Sequence, residues 1–225
     1  MCGRYGFSVK NAKDVYERFD TYNELSDFKP RWNIAPGDLN PVITRHSPNE
    51  ISRMLWGLIP YWARDDSFKF KTINARVEGI ESKATYRKPF RTRRCLVPAT
   101  GFYEWDKPVK PSQPYYFKLK HEELFAFAGL YDIWRDPKTG KEVNSYTIIT
   151  TQANGVVGKI HPRVPVILQK EDEEEWLNPD IVEPERLLLL LKQYPDKEME
   201  AYPVSTAVNR PSIDTAELIK PLTNK

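Results

Sequence analysis

The layout of short apolar runs constrains this chain more than any other feature of its sequence. Ile51 to Trp56, Tyr115 to Lys120, Leu124 to Leu130, Tyr146 to Thr151 and Val164 to Leu168 read as strands. Turn chemistry such as Asp136-Pro137-Lys138-Thr139-Gly140 separates them. The runs Tyr115 to Lys120 and Leu124 to Leu130 are expected to pair as a hairpin across His121-Glu122-Glu123. Three short helices are predicted: Asn11 to Phe19 with Val15 and Phe19 on one face, Glu171 to Leu177, and Pro184-Glu185-Arg186 with the leucines that follow. The run from Glu171 to Glu175 suits the positive end of a helix dipole and reads as a solvated helix start. Strands outnumber helices and do not alternate regularly with them, which argues against a parallel sheet and for an α+β domain with a mostly antiparallel core.

Composition sets the remaining bounds. A chain of 225 residues with 40% hydrophobic content buries a sizeable core, and one compact domain is expected. Nineteen prolines are spread through every part, and no repeat, low-complexity stretch or Gly/Ser linker divides the chain. The run from Leu187 to Leu191 is far too short to cross a bilayer, and the first ten residues lack the apolar core of a signal peptide. No membrane association is expected. Two cysteines, Cys2 and Cys95, make no disulfide framework and fit a reducing, intracellular compartment in which a thiol stays free. A net charge of +3 permits nucleic acid without demanding it. There is no Cys-x-x-Cys, no His-x-x-x-His and no glycine-rich phosphate loop, so neither a metal nor a nucleotide cofactor is expected.

Chemistry concentrates at a few polar residues. Cys2 follows the initiator methionine directly, so removal of Met1 places a thiol and a free α-amine on one carbon skeleton. Such a 1,2-aminothiol attacks an aldehyde through nitrogen to give an imine and then through sulfur to close a thiazolidine; both groups titrate close enough to neutrality to act as nucleophiles. An incidental cysteine in a frayed terminus is the competing reading. His46 and His121 lie in turn-like settings and read as surface residues, whereas His161 and Arg163 stand at the mouth of the apolar run Val164 to Leu168. A structural histidine is the alternative there. Glu104, in Gly101-Phe102-Tyr103-Glu104-Trp105, has aromatic neighbours that favour a neutral carboxyl able to shuttle protons; the alternative is a strand glutamate facing solvent. Asn74 and Arg76 have the period-two spacing that sets residues on one strand face, where an amide and a guanidinium hold a phosphate or a sugar oxygen, or else cross-pair with neighbouring strands. Arg87 to Arg94 gathers five cations around Phe90, and Trp62 lies near Arg64; cations interleaved with stacking faces suit single-stranded nucleic acid, although a charge run is commonly a solvated face.

Seven ordered segments carry a family resemblance. Met1-Cys2-Gly3-Arg4-Tyr5, Arg31 to Gly37, Trp56 to Ala63, Ile73-Asn74-Ala75-Arg76, Arg94 to Ala99, Gly101 to Trp105 and Ile160 to Leu168 resemble the signature blocks of the SRAP family, the SOS response-associated peptidase domains that shield abasic sites in single-stranded DNA. The blocks run from about residue 2 to residue 205, leaving 206–225 as a C-terminal extension of one domain covering 1–225. The resemblance implies a compact α+β fold of bifurcated, mostly antiparallel sheets forming pseudo-barrels with flanking short helices.

It also implies roles. Cys2, after loss of Met1, matches the nucleophile that joins the open-chain aldehyde of an abasic deoxyribose as a thiazolidine. Asn74 matches the asparagine that holds the sugar, Glu104 the proton-shuttling glutamate, and His161 the histidine that assists ring opening and crosslink release. Arg4, Arg76 and Arg163 match positions that grip phosphates, and Trp62 a stacking or wedging residue. Lyase and self-processing peptidase activities belong to the same expectation, as do a monomeric state, single-stranded DNA with abasic sites as partner, and a nucleoid-associated cytoplasmic location in a bacterium or a nuclear one in a eukaryote. The chain departs from the pattern at Pro162, where the family more often has aspartate, which bears on how His161 and Arg163 are oriented. Two other classes share parts of this reading. Glutamine-type N-terminal-nucleophile amidohydrolases also begin Met-Cys-Gly, though nothing later here resembles their glutamine pocket, and a non-catalytic module would bind single strands in a salt-sensitive way without a covalent product.

Overall fold

The computed structural model describes residues 2–23, 27–106 and 111–222. Met1, on whose removal the aminothiol depends, lies outside the described residues. In chain order the elements are β1 (Tyr5–Phe7), α1 (Ala12–Phe19), β2 (Arg31–Ile34), β3 (Leu39–Thr44), β4 (Ser47–Trp56), β5 (Asn74–Arg76), α2 (Arg87–Thr92), β6 (Arg94–Ala99), β7 (Gly101–Asp106), β8 (Gln113–Leu119), β9 (Phe125–Arg135), β10 (Glu142–Gln152), β11 (Arg163–Pro165), α3 (Lys170–Leu177), α4 (Pro184–Leu190) and β12 (Met199–Pro203). No described helix is long and apolar enough to cross a membrane.

These elements form an α+β domain of two sheets. One has the order β12-β8-β7-β1-β2. In the other, β10-β4-β3-β6-β9 closes on itself because β9 also pairs with β10, and closure leaves those strands few unpaired edges. β10 is where this sheet branches. One of its edges carries β9 and then, through Thr150–Gln152, β11; the other carries β4 at Ser145 and Tyr146 and then β5 from Ile148 to Thr150. The β10 pairings with β4 and β5 are parallel, and the other ladders are antiparallel. One strand therefore sets the positions of β5 and β11, the two shortest segments that carry candidate site residues.

Aromatic side chains fill the space between the sheets. Phe102 stacks on Phe117 with ring centroids 5.0 Å apart and meets Phe127 edge-on at 6.0 Å, while Tyr5 sets its edge against Trp56 at 5.1 Å. The buried hydroxyls of Tyr5 and Tyr146 lie 2.7 Å apart, and the Asn40 amide donates to Tyr146 at 3.1 Å, so the polar ends of these rings are satisfied inside the core. Gly57 follows β4 with φ of +128°, and a Cβ there would lie 2.0 Å from the Lys69 carbonyl oxygen. Only glycine lets the segment leading to Asn74 pass this close.

The helices begin and end close to their expected positions, and α1 buries Val15 and Phe19 as its periodicity requires. The expected hairpin does not form. β8 pairs with β7 and β12, whereas β9 pairs with β6 and β10, so the two runs belong to different sheets. Both runs are apolar enough to take partners on each edge, and His121-Glu122-Glu123 lacks the Asn-Gly or Gly-X signal that fixes a tight reversal. The segment instead crosses between sheets, anchored where the Lys120 N–H donates to the Glu198 carbonyl at 2.9 Å.

Two charged runs are also less exposed than expected. Within the acidic run, Glu173 is buried and forms a two-pronged pair with Arg18 at 2.7 and 2.8 Å. Within the basic run, Arg93 pairs with Asp132, and Arg94 is fully buried with its guanidinium donating to the carbonyls of Trp176, Arg91, Phe90, Asn178 and Ile181. That one side chain satisfies chain ends that α2, α3 and the following loop would otherwise leave unpaired. Arg94→Lys, which cannot reproduce the planar fork, is expected to lower unfolding stability by about 3 kcal/mol in denaturant titration; wild-type stability would show that the carbonyls find other donors.

Candidate active site

The start of the chain is drawn into the junction between the sheets. β1 pairs with β2 and β7, and the Tyr103 N–H donates to the Arg4 carbonyl at 3.0 Å, continuing the β1–β7 ladder toward the N-terminus. Cys2 is fully buried and belongs to the main apolar core. Its carbonyl accepts a 2.8 Å hydrogen bond from the Asn74 amide nitrogen, and its thiol donates to the Arg4 carbonyl at 3.5 Å. Burial raises the Cys2 thiol pKa well above the ordinary range, and the negative charge of Glu104 raises it further. A standing thiolate is therefore disfavoured, so a reaction at this sulfur needs a base to take its proton.

Asn74 opens β5, which pairs with β10 in the register Asn74 to Ile148. Its carbonyl accepts from the Tyr86 hydroxyl at 3.3 Å, fixing the backbone from which the amide reaches Cys2. The Asn74 side-chain oxygen is buried and has no hydrogen-bond partner among the described residues. An orphaned acceptor beside Cys2 is costly in a closed protein and useful to an incoming hydroxyl or amine.

Glu104 comes from β7. Strand alternation puts Phe102 and Glu104 on the face turned to the main core and Tyr103 on the other, where it packs with Tyr116, Val204 and Val208. His161 follows a short 3-10 turn, Val157–Lys159, and its N–H is fixed by the Val157 carbonyl at 2.9 Å. The Nδ1 atom lies 3.8 Å from Glu104 Oε1, too far for a hydrogen bond but close enough for a charged imidazolium to feel the carboxylate. The same Nδ1 lies 3.1 Å from both the N–H and the carbonyl of Arg163. It accepts from the first when unprotonated and donates to the second when protonated, so the ring is held in one place in either state. Between His161 and Arg163, the Pro162 carbonyl accepts from the Ala153 N–H at 3.0 Å.

The expected phosphate contacts divide into three kinds. Arg4 is partly buried, donating to the Asn33 side-chain oxygen at 3.0 Å and to the Val208 carbonyl at 3.1 Å, and burial lowers its pKa. Residues after 205 thus hold Arg4 in place, helped by Asp214, which accepts from the N–H groups of Trp32 and Asn33. Arg163 forms a fork with Glu78 at 2.5 and 2.9 Å and donates to the Thr150 carbonyl at 2.5 Å. The Arg76 side chain is exposed, with no hydrogen bond or ion pair to a described residue. Trp62 is 45% exposed and meets Phe68 edge to face at 5.3 Å; no described interaction ties it to the Cys2 cluster. Glu78 and Tyr86 escaped the sequence reading. Glu78 carried a usable signal, an acid two residues beyond Arg76 and just before a turn glycine, whereas nothing in the local pattern marks Tyr86.

Fold and site together define a class: an α+β protein that holds a cysteine at its second position beside a buried amide and carboxylate, with an imidazole 3.8 Å from that carboxylate. The family model described as SOS response associated peptidase (SRAP) matches residues 1–211, and the chain belongs to that family. It is 42% identical to Abasic site processing protein YoqW of Bacillus subtilis, over 98% of this chain and 99% of that protein. It is 34% identical to Abasic site processing protein HMCES of Gallus gallus, over 99% of this chain and 78% of that protein. The crystal structure of a protein from Bacteroides thetaiotaomicron superposes with a TM-score of 0.90 at 31% identity, covering 99% of this chain and 100% of that one.

Because both cysteines are fully buried with raised pKa values, neither is expected to react with Ellman's reagent in the folded chain that keeps Met1, and both are expected to react in denaturant. Rapid labelling of native Cys2 would contradict the closed site.

Proposed function

We propose that this chain processes abasic sites in single-stranded DNA by forming a covalent crosslink through Cys2. The observation that carries the reading is that Asn74 and Glu104 act on Cys2, with His161 3.8 Å from Glu104, at a cysteine whose α-amine is released by hydrolysis of one peptide bond. Hydrolysis of the Met1–Cys2 bond, by the chain itself or by an aminopeptidase, supplies that amine.

The chemistry then balances without a cofactor. The closed deoxyribose must first open, which moves a proton from its anomeric hydroxyl to the ring oxygen; His161, held by Arg163 whether protonated or neutral, suits that transfer. The Cys2 amine adds to the freed aldehyde and expels water to leave an imine. The thiol then adds to the imine carbon, its proton passing to the nitrogen, and the thiazolidine ring closes. Glu104 is the group beside the thiol able to take and return that proton, in keeping with a site that disfavours a standing thiolate. Asn74 holds the Cys2 carbonyl while its unpaired oxygen is available to the sugar or the new amine. The imine alone permits β-elimination and strand cleavage, so lyase activity and stable crosslinking diverge at one intermediate. Outside the pocket, exposed Arg76 neutralises a flanking phosphate and exposed Trp62 offers a stacking face.

Incubating processed protein with an abasic single-stranded oligonucleotide is expected to give a slow-migrating species on a denaturing gel. Cys2→Ala should abolish the stable product, and Glu104→Gln should slow its formation by roughly 100-fold. Absence of a covalent species from folded, processed wild type would contradict the proposal.

A further inference from the structure

We propose that Glu78 is an internal phosphate mimic: its carboxylate occupies the Arg163 guanidinium where a DNA phosphate would sit, and the incoming strand displaces it. This rests on the proposed function, in which a single strand lies against the pocket that Arg163 borders and brings a backbone phosphate within its reach. Both oxygens of Glu78 face both terminal nitrogens of Arg163, the fork geometry that guanidinium adopts with carboxylate and phosphate alike.

The two partners are anchored unequally. The Arg163 side chain is 13% exposed and also held by the Thr150 carbonyl, whereas that of Glu78 is 52% exposed. The guanidinium therefore stays in place while the carboxylate is free to swing into solvent. What brings the carboxylate there is a turn: the Ile80 N–H donates to the Val77 carbonyl at 3.2 Å, and Gly79 takes a φ of +72°, which other residues adopt only with strain. Arg76 lies two residues earlier, opposite Thr150 in the β5–β10 register, and its positive charge also acts on the carboxylate without forming an ion pair. The combined influence of the two arginines, the Arg163 hydrogen bonds foremost, holds the Glu78 pKa below the usual carboxylate range. The anion site at Arg163 is thus filled by the protein's own anion. The consequence is selectivity: a strand that offers only backbone must displace Glu78 without help, whereas a strand with an abasic site is also retained by the bond to Cys2.

The test is Glu78→Gln, which keeps shape and removes charge, assayed by fluorescence anisotropy on an undamaged single-stranded oligonucleotide across a salt series. Affinity is expected to rise roughly 3- to 10-fold, and the slope of log affinity against log salt to steepen by about 0.7, one further neutralised phosphate. The gain should vanish in an Arg163→Ala background. Unchanged or weaker binding by Glu78→Gln, as expected if Glu78 only orients Arg163, overturns the proposal, and so does a gain that persists without Arg163. Crosslinking of an abasic oligonucleotide by wild type separates the two levels. Where wild type crosslinks but Glu78→Gln shows no gain, the mimic alone fails; where wild type neither binds nor crosslinks, the function beneath it fails as well.

Discussion

One hydrogen bond, from the Asn74 amide to the Cys2 carbonyl, ties the segment before β1 to β5 of the other sheet at the candidate site. Chain termini ordinarily fray. Here the residues after Cys2 enter a ladder between β2 and β7, and Asn74, delivered by β5 from the other sheet, fixes the backbone of Cys2 itself. The branching of β10 makes this possible, because that strand carries β5 on one edge and β11 on the other. Asn74 and the segment of His161 and Arg163 are thus referred to a common strand, and Glu104 reaches the same place from β7.

The electrostatics of the pocket fit a nucleophile that is activated during reaction rather than stored. Burial and the Glu104 charge keep the Cys2 proton on sulfur. A carboxylate whose charge opposes thiolate formation in the resting protein is also a group able to accept that proton once an electrophile arrives. Arg163 serves two neighbours at once: its backbone steadies His161, and its side chain faces Glu78. The turn through Gly79 and the ring of His161 are therefore mechanically linked through one residue.

Much of this was legible in the sequence. The period of Val15 and Phe19, the proline at the first turn of α4 and the Asp136–Gly140 turn reported local structure that local chemistry decides. The signature blocks contain Cys2, Asn74, Glu104 and His161 but neither Glu78 nor Tyr86. Strand pairing was less legible, because β8 and β9 each have two apolar edges and their partners lie far away in sequence. Charge runs misled for a related reason. Whether Glu173 or Arg94 faces water depends on Arg18 and on the carbonyls after α3, and neither is a neighbour in the chain. Glu78 stayed unseen because its meaning comes from Arg163, 85 residues away.

The most direct test of an aminothiol mechanism is the intact mass of the protein before and after incubation with an abasic oligonucleotide. The expected adduct is the chain lacking Met1 plus the oligonucleotide minus one water, formed in no sample whose Cys2 amine is blocked. An adduct on chains that retain Met1, or one that survives blocking of the amine, would contradict it.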